Sequence, residues 1–228
     1  MKQKEKKYLI WGIIGGILTM IGDCLLLGVD STGAGSGALD KFAMIATRVS
    51  YTRIGLGAFF GFIGIPLSVL GFYALFLSLR DKETRTARLY KLSLYGFGAL
   101  GGAIHVICCY LLTGIKKDLE CGTDDLLKTV LEEQGGYVIP SVIVFFAFYL
   151  LCVITMILLI VRRKTYLPSW MWILNPLTLK ILINMIGNLG TSAFLNGLGC
   201  SNMSLGGIII FITWFCFMQK EGEKNDSI

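Results

Sequence analysis

Along this chain, long apolar runs alternate with short charged segments. A membrane-crossing helix needs about 20 predominantly apolar residues. Six runs approach or meet that length: 8–29, 54–79, 92–115, 138–161, about 170–189 and about 205–218. Asparagines and glycines interrupt the last two, and the sixth is short. The pattern predicts an all-α fold: a polytopic transmembrane bundle of six helices, forming one domain over 1–228.

Composition agrees. The chain is 54% hydrophobic and 16% charged, with a mean hydropathy of +0.69. Soluble domains carry about 25% charged residues, and a compact soluble fold keeps a wet exterior that so few charges cannot cover. The net charge of +6 raises the question of nucleic acid. The charges, however, cluster between apolar runs, and no basic helix with interleaved aromatics occurs. Membrane lipids are the expected partners, and a multi-pass place in the cell membrane the expected location.

Lysine and arginine set the orientation, because cytoplasmic loops are enriched in them. With the N-terminus inside, the inner segments hold Lys2, Lys4, Lys6 and Lys7; Arg80, Lys82, Arg85, Arg88 and Lys91; Arg162, Arg163 and Lys164; and Lys220 and Lys224. The outer segments hold Lys41, Arg48, Arg53, Lys116, Lys117 and Lys128. This bias predicts cytoplasmic N- and C-termini. The first run resembles a lipoprotein signal ending at a cysteine, but the residue before Cys24 is Asp23 rather than a small one, and "LLLGV" follows. An uncleaved first helix is expected.

Both outer loops are long. Asp30 to Gly37 reads as a flexible turn. From Leu39 the apolar spacing becomes helical, predicting an interfacial helix before the second span. "TDDLLKTVLEEQ" predicts a short acidic helix ended by Gly135 and Gly136. These segments either cap the bundle or simply connect spans.

An ionisable side chain at mid-bilayer costs at least ~2.5–3.5 kcal/mol, so it turns inward. Residues three or four apart share a helix face. Small and polar stripes therefore mark the packed faces: Gly15, Thr19 and Asp23 in the first span; Arg53, Gly57, Gly61, Gly64, Ser68 and Gly71 in the second; Gly98, Gly101, Gly102, His105, Cys108 and Cys109 in the third; Lys180, Asn184 and Asn188 in the fifth, in line with Pro176 and Ser192. The fourth run has no such stripe and is expected at the lipid-facing periphery. At ~1.5 Å per residue, Asp23 lies ~9 Å and His105 ~15 Å below the outer ends of their spans. Asp23, His105, Lys180, Asn184 and Asn188 are thus expected in the outer half of the bundle, with Arg53 above them. Arg53 or Lys180 is the expected partner of Asp23, since an unpaired buried charge would neutralise. Pro66 and Pro176 kink their helices, and an Asn175–Pro176 break would free carbonyls to line a cavity.

The chemistry is sparse. The seven cysteines have no metal or redox spacing. Cys108 and Cys109 read as small buried hydrophobes, and Cys121 and Cys200 both fall outside, where a disulfide is permitted. His105 is the chain's one histidine, too few for a zinc catalytic set. No phosphate-binding loop or nucleophile elbow occurs, and no cofactor or metal is expected.

The stretches "IGDCLLLG", "TRIGLGAFFGFIGIPLSVLGFY", "GGAIHVICCY", "NPLTL" and "GNLG" resemble a family of bacterial six-helix membrane proteins grouped as a domain of unknown function. The likeness spans roughly residues 8–218. It implies a shared architecture for the Asp23, Arg53, His105 and Asn188 positions, and no activity. Three functions remain open. One is a pocket in the outer half, lined by Asp23, Arg53, His105, Lys180, Asn184 and Asn188, that binds or moves a small amphiphile or lipid. The second is a structural or regulatory protein whose polar core only specifies packing. The third is an intramembrane enzyme with His105 as base and Asp23 orienting it.

Overall fold

The computed structural model describes residues 3–34, 38–122 and 135–226. Among them are eight α-helices and one 3-10 helix. They are α1 (Gln3–Leu27), α2 (Ala38–Arg48), α3 (Tyr51–Leu77), α4 (Arg85–Cys121), α5 (Gly135–Val161), a 3-10 turn (Ser169–Ile173), α6 (Pro176–Gly187), α7 (Ala193–Cys200) and α8 (Asn202–Asp226). The acidic helix expected over 123–134 lies outside the described residues. Gly135 and Gly136, expected to end it, open α5 instead.

Five helices are long and apolar enough to cross a membrane: α1, α3, α4, α5 and α8. Their outward surfaces carry exposed large apolar side chains, among them Phe59, Phe62, Tyr110, Ile143, Leu150 and Ile154. Such a surface suits acyl chains rather than water, so the chain has the make-up of a multi-pass membrane protein.

The expected fifth span over 170–189 is not one helix. Pro176 has no N–H to donate, which suits it to the first turn of a helix, and α6 begins there. Asn175 is extended, and its side chain accepts from the N–H groups of Leu177 and Thr178, each at 3.0 Å. The resulting α6 has 12 residues, or ~18 Å, short of a ~30 Å hydrocarbon core. The expected sixth span, by contrast, is longer than its apolar run: α8 starts at Asn202.

Helix order follows from close approaches. On α1 and α3, a Cβ at Gly12 would strike Gly71, one at Gly15 would strike Ser68, and one at Gly22 would come within 2.9 Å of the Gly57 carbonyl oxygen. The two helices therefore run antiparallel with backbones nearly touching. Tyr90 of α4 donates to Phe72 O of α3 at 2.8 Å, and the Phe97 ring of α4 packs at a tilt against Phe145 and Tyr149 of α5. Ile208 and Phe211 of α8 pack at Gly16 and Gly12 of α1, and Lys6 lies over the Phe215 ring. Both chain ends thus sit at one end of the bundle, the terminal end. Arg80 N, donating to Lys164 O, adds the α3–α4 and α5–α6 connections to that end.

At the far end, α2 forms as the apolar spacing predicts and buries Ile45 and Ala46, with Val49 just beyond. Arg48 ties it back to the turn after α1, reaching Asp30 Oδ1 at 3.2 Å and Asp30 O at 2.6 Å. Hydrogen bonds from Thr32, with Arg48 adding to them, hold the Asp30 carboxyl below the usual carboxylate range. Lys116, at the far end of α4, donates to Ala46 O at 3.2 Å and pairs with Glu120 at 3.1 Å.

A large apolar core, including Phe72, Leu75, Tyr90, Met156, Phe211 and Trp214, fills the terminal half. A smaller one, including Leu26, Val49, Ile54, Cys109 and Leu112, fills the far end. Asp23 precedes Leu26 by one turn and His105 precedes Cys109 by one turn, so the intramembrane polar groups stand where the two cores meet.

Candidate functional site

A cavity of about 240 Å³ opens at this join. One part of its wall is polar: Thr19, Asp23, Ser68, His105, Lys180, Asn202 and Ser204. Another is aromatic and aliphatic: Ile65, Phe72, Phe97, Ile104, Phe145, Tyr149 and Met203. Every long helix contributes. α5 packs on α4 and is peripheral as expected, yet it supplies Phe145 and Tyr149. The periodicity of α5 gave no hint of this, because its inward face is aromatic rather than polar.

Asp23 accepts from Ser204 Oγ at 3.0 Å. Its other oxygen lies 3.8 Å from His105 Nδ1, too far for a direct hydrogen bond. His105 Nε2 is 3.1 Å from Gly57 O. A carbonyl only accepts, so Nε2 carries a proton and Nδ1 of the neutral ring is an acceptor. The Asp23 carboxylate and Nδ1 would then face each other as two acceptors. A water donating to both would reconcile them.

The imidazole lies flat on α3 because Gly61 leaves room: a Cβ there would collide with the His105 ring. One ring nitrogen is held by Gly57 and the other faces Asp23.

Lys180 Nζ donates to Asn202 Oδ1 at 3.2 Å, and Asn202 in turn donates to Gly199 O. Lys180 is close enough to act electrostatically on Asp23. The expected Arg53–Asp23 pair is absent among the described residues. Arg53 instead donates to Cys24 O at 3.2 Å and Gly28 O at 3.3 Å. Both carbonyls lie at the C-terminal end of α1, where the helix dipole attracts cations, although Cys24 O also accepts from Gly28 N at 2.9 Å. Arg53 is a helix cap, one that residue spacing alone could not tell from a counter-ion.

Asn184 and Asn188 do not join Asp23. They line a second cavity of about 180 Å³, with Leu27, Lys41, Phe42, Ile45, Leu195, Asn196 and Cys200. Asn196 was missed in the sequence. It is buried and donates to Val29 O at 2.7 Å, Ser31 Oγ at 2.9 Å and Thr191 O at 3.0 Å, pinning α7 to the turn after α1. Its position between apolar residues resembles any polar interruption of a span, so nothing in the sequence singled it out.

All seven cysteines are free thiols, Cys121 and Cys200 included. Cys108 is exposed rather than buried, while Cys109 is buried. Among the described residues no cluster of His, Cys, Asp and Glu is placed to hold a metal ion.

A family model matches residues 1–221. The chain belongs to the family of unknown function DUF6796. The match runs from α1 into the final helix, so both cavities of this DUF6796 protein are built inside the family's own domain. No curated protein and no solved structure matches the chain.

Proposed function

We propose that this DUF6796 protein is a six-crossing protein of the cell membrane, with both termini in the cytoplasm, that binds a small amphiphile in the cavity around Asp23. The observation that carries this reading is the division of the cavity wall. A polar cluster with a lysine and a carboxyl meets a sleeve of aromatic rings, which is how ligand pockets combine a few placed polar groups with an apolar lining. Tyr149 adds support: its hydroxyl is buried with no hydrogen-bond partner among the described residues, a state that buried polar groups rarely keep. The size of the cavity fits a small molecule or one end of a longer one.

A core that served packing alone would fill this space. Cavities cost stability, and helix pairs need none to pack. The enzyme reading is the weaker one: His105 Nε2 is held by Gly57 O and its Nδ1 faces Asp23, so neither nitrogen pairs with an orienting carboxylate while the other points at open space as a base.

Native mass spectrometry of the purified protein tests the proposal. Wild type should retain an amphiphile adduct through delipidation. Lys180→Leu removes a charged hydrogen-bonding group worth about 1.5–3 kcal/mol, so occupancy should fall about tenfold or more. Met203→Trp, which fills the cavity, should abolish the adduct. Equal adduct profiles in all three proteins would overturn the reading.

A further inference from the structure

The two cavities share a wall residue, Cys200, and a helix face. On α6, Lys180 faces the cavity that contains Asp23, and Asn184 and Asn188 face the other. The three are spaced at one-turn intervals, so they form a single stripe. At ~1.5 Å per residue, the asparagines stand ~6 and ~12 Å beyond Lys180 toward the far end. Lys41, Phe42 and Ile45 of α2 line the same outer cavity. Both asparagines are exposed. No carboxylate lines this outer cavity among the described residues; Lys41 and the amides of Asn184 and Asn188 do, while the Asn196 amide nitrogen is already spent on Val29, Ser31 and Thr191. Its chemistry therefore favours anions.

We propose that the outer cavity is the aqueous vestibule of the inner one, and that the amphiphile carries an acidic head, a carboxylate or phosphate, which passes from Lys41 along Asn188 and Asn184, past Cys200, to Lys180. This rests on the amphiphile reading above and adds to it the charge of the head and the route. Access then comes from water at the far end, not from between acyl chains. Lys41 draws the anion in, the amides replace part of its hydration, and Lys180 receives it while its tail enters the aromatic sleeve.

Thiol labelling tests the route without any ligand, so its result stands or falls apart from the adduct measurement. Open membrane fragments, wet on both faces, are treated with an anionic or a cationic methanethiosulfonate or with lipid-soluble N-ethylmaleimide. Modification is mapped by peptide mass spectrometry, so the other cysteines stay in place. Both charged reagents should modify Asn184→Cys fastest, Cys200 more slowly and Lys180→Cys last. Lys41→Glu should change the anionic-to-cationic rate ratio at Cys200 about tenfold, in favour of the cation. The proposal is overturned if Cys200 and Lys180→Cys react with the maleimide alone, or if Lys41→Glu leaves the ratio unchanged.

Discussion

At the scale of single residues, the site depends on what is missing as much as on what is present. His105 reaches Gly57 O because Gly61, one turn further along α3, has no side chain. Gly61→Ala forces a methyl group into the imidazole. Overpacking of this kind costs typically ~1–3 kcal/mol, against a helix-propensity gain of up to ~1 kcal/mol. Net destabilisation of about 1–2 kcal/mol should appear in denaturant titrations in micelles. Adding His105→Ala should cancel the penalty, because the clash has one partner. Gly55→Ala, where a Cβ meets open space, is the control and should stabilise slightly. A penalty that persists without the imidazole would mean that Gly61 serves some other contact. The stripe logic found Gly61 and His105 on inward faces, but it could not show that one exists to admit the other.

At the scale of elements, legibility followed the strength of the pattern. Spans one to four were readable because their apolar runs are long, and α2 was readable from its short amphipathic spacing. The fifth run is not one helix, because hydropathy averages across the Asn175–Pro176 break that the sequence allowed. Asn175 and Pro176 are two residues in an apolar run, yet one caps and the other starts a helix. That break sends Lys180 and the two asparagines of one stripe into different cavities. The turn after α1 was read as flexible over 30–37, of which 35–37 lie outside the described residues; in its first part Asp30 Oδ1 accepts from Thr32 N at 2.7 Å and pairs with Arg48. Because the folded-state value for Asp30 is depressed, its contribution is present above the ordinary carboxylate value of about 3.9 and is lost as pH falls below it. Asp30→Asn should therefore melt earlier than wild type at neutral pH, and the gap should close as pH drops below about 4. A gap that stays constant across that window would show that the carboxylate charge plays no part in holding α2.

For the whole molecule, the direction of each helix leaves one question of parity. α1 and α4 run from the terminal end to the far end, whereas α3, α5 and α8 run back. Two of the returning helices, α5 and α8, follow one another among the long elements, so the chain must climb to the far end between them. The 3-10 turn and α6 make that climb in pieces, and hydrogen bonds from Asn196 to Val29 O and from Ser31 N to Thr191 O mark its arrival beside the turn after α1. On the proposed reading, five long helices and a broken riser amount to an even number of passages, which puts both chain ends on one side. On the same reading charge sets the side: Lys4, Lys6, Lys7, Arg80, Lys82, Arg85, Arg88, Arg162, Arg163 and Lys164 crowd the terminal end, and loops enriched in such residues favour the cytoplasm. A fluorescent protein that folds only in the cytoplasm should glow when fused to either terminus. Alkaline phosphatase, active only when exported, should work when inserted after Gly33 and fail at both ends. Phosphatase activity at one terminus alone would break the parity, and with it the claim that residues 162–200 lift the chain through the membrane and carry Lys180 to the level of Asp23.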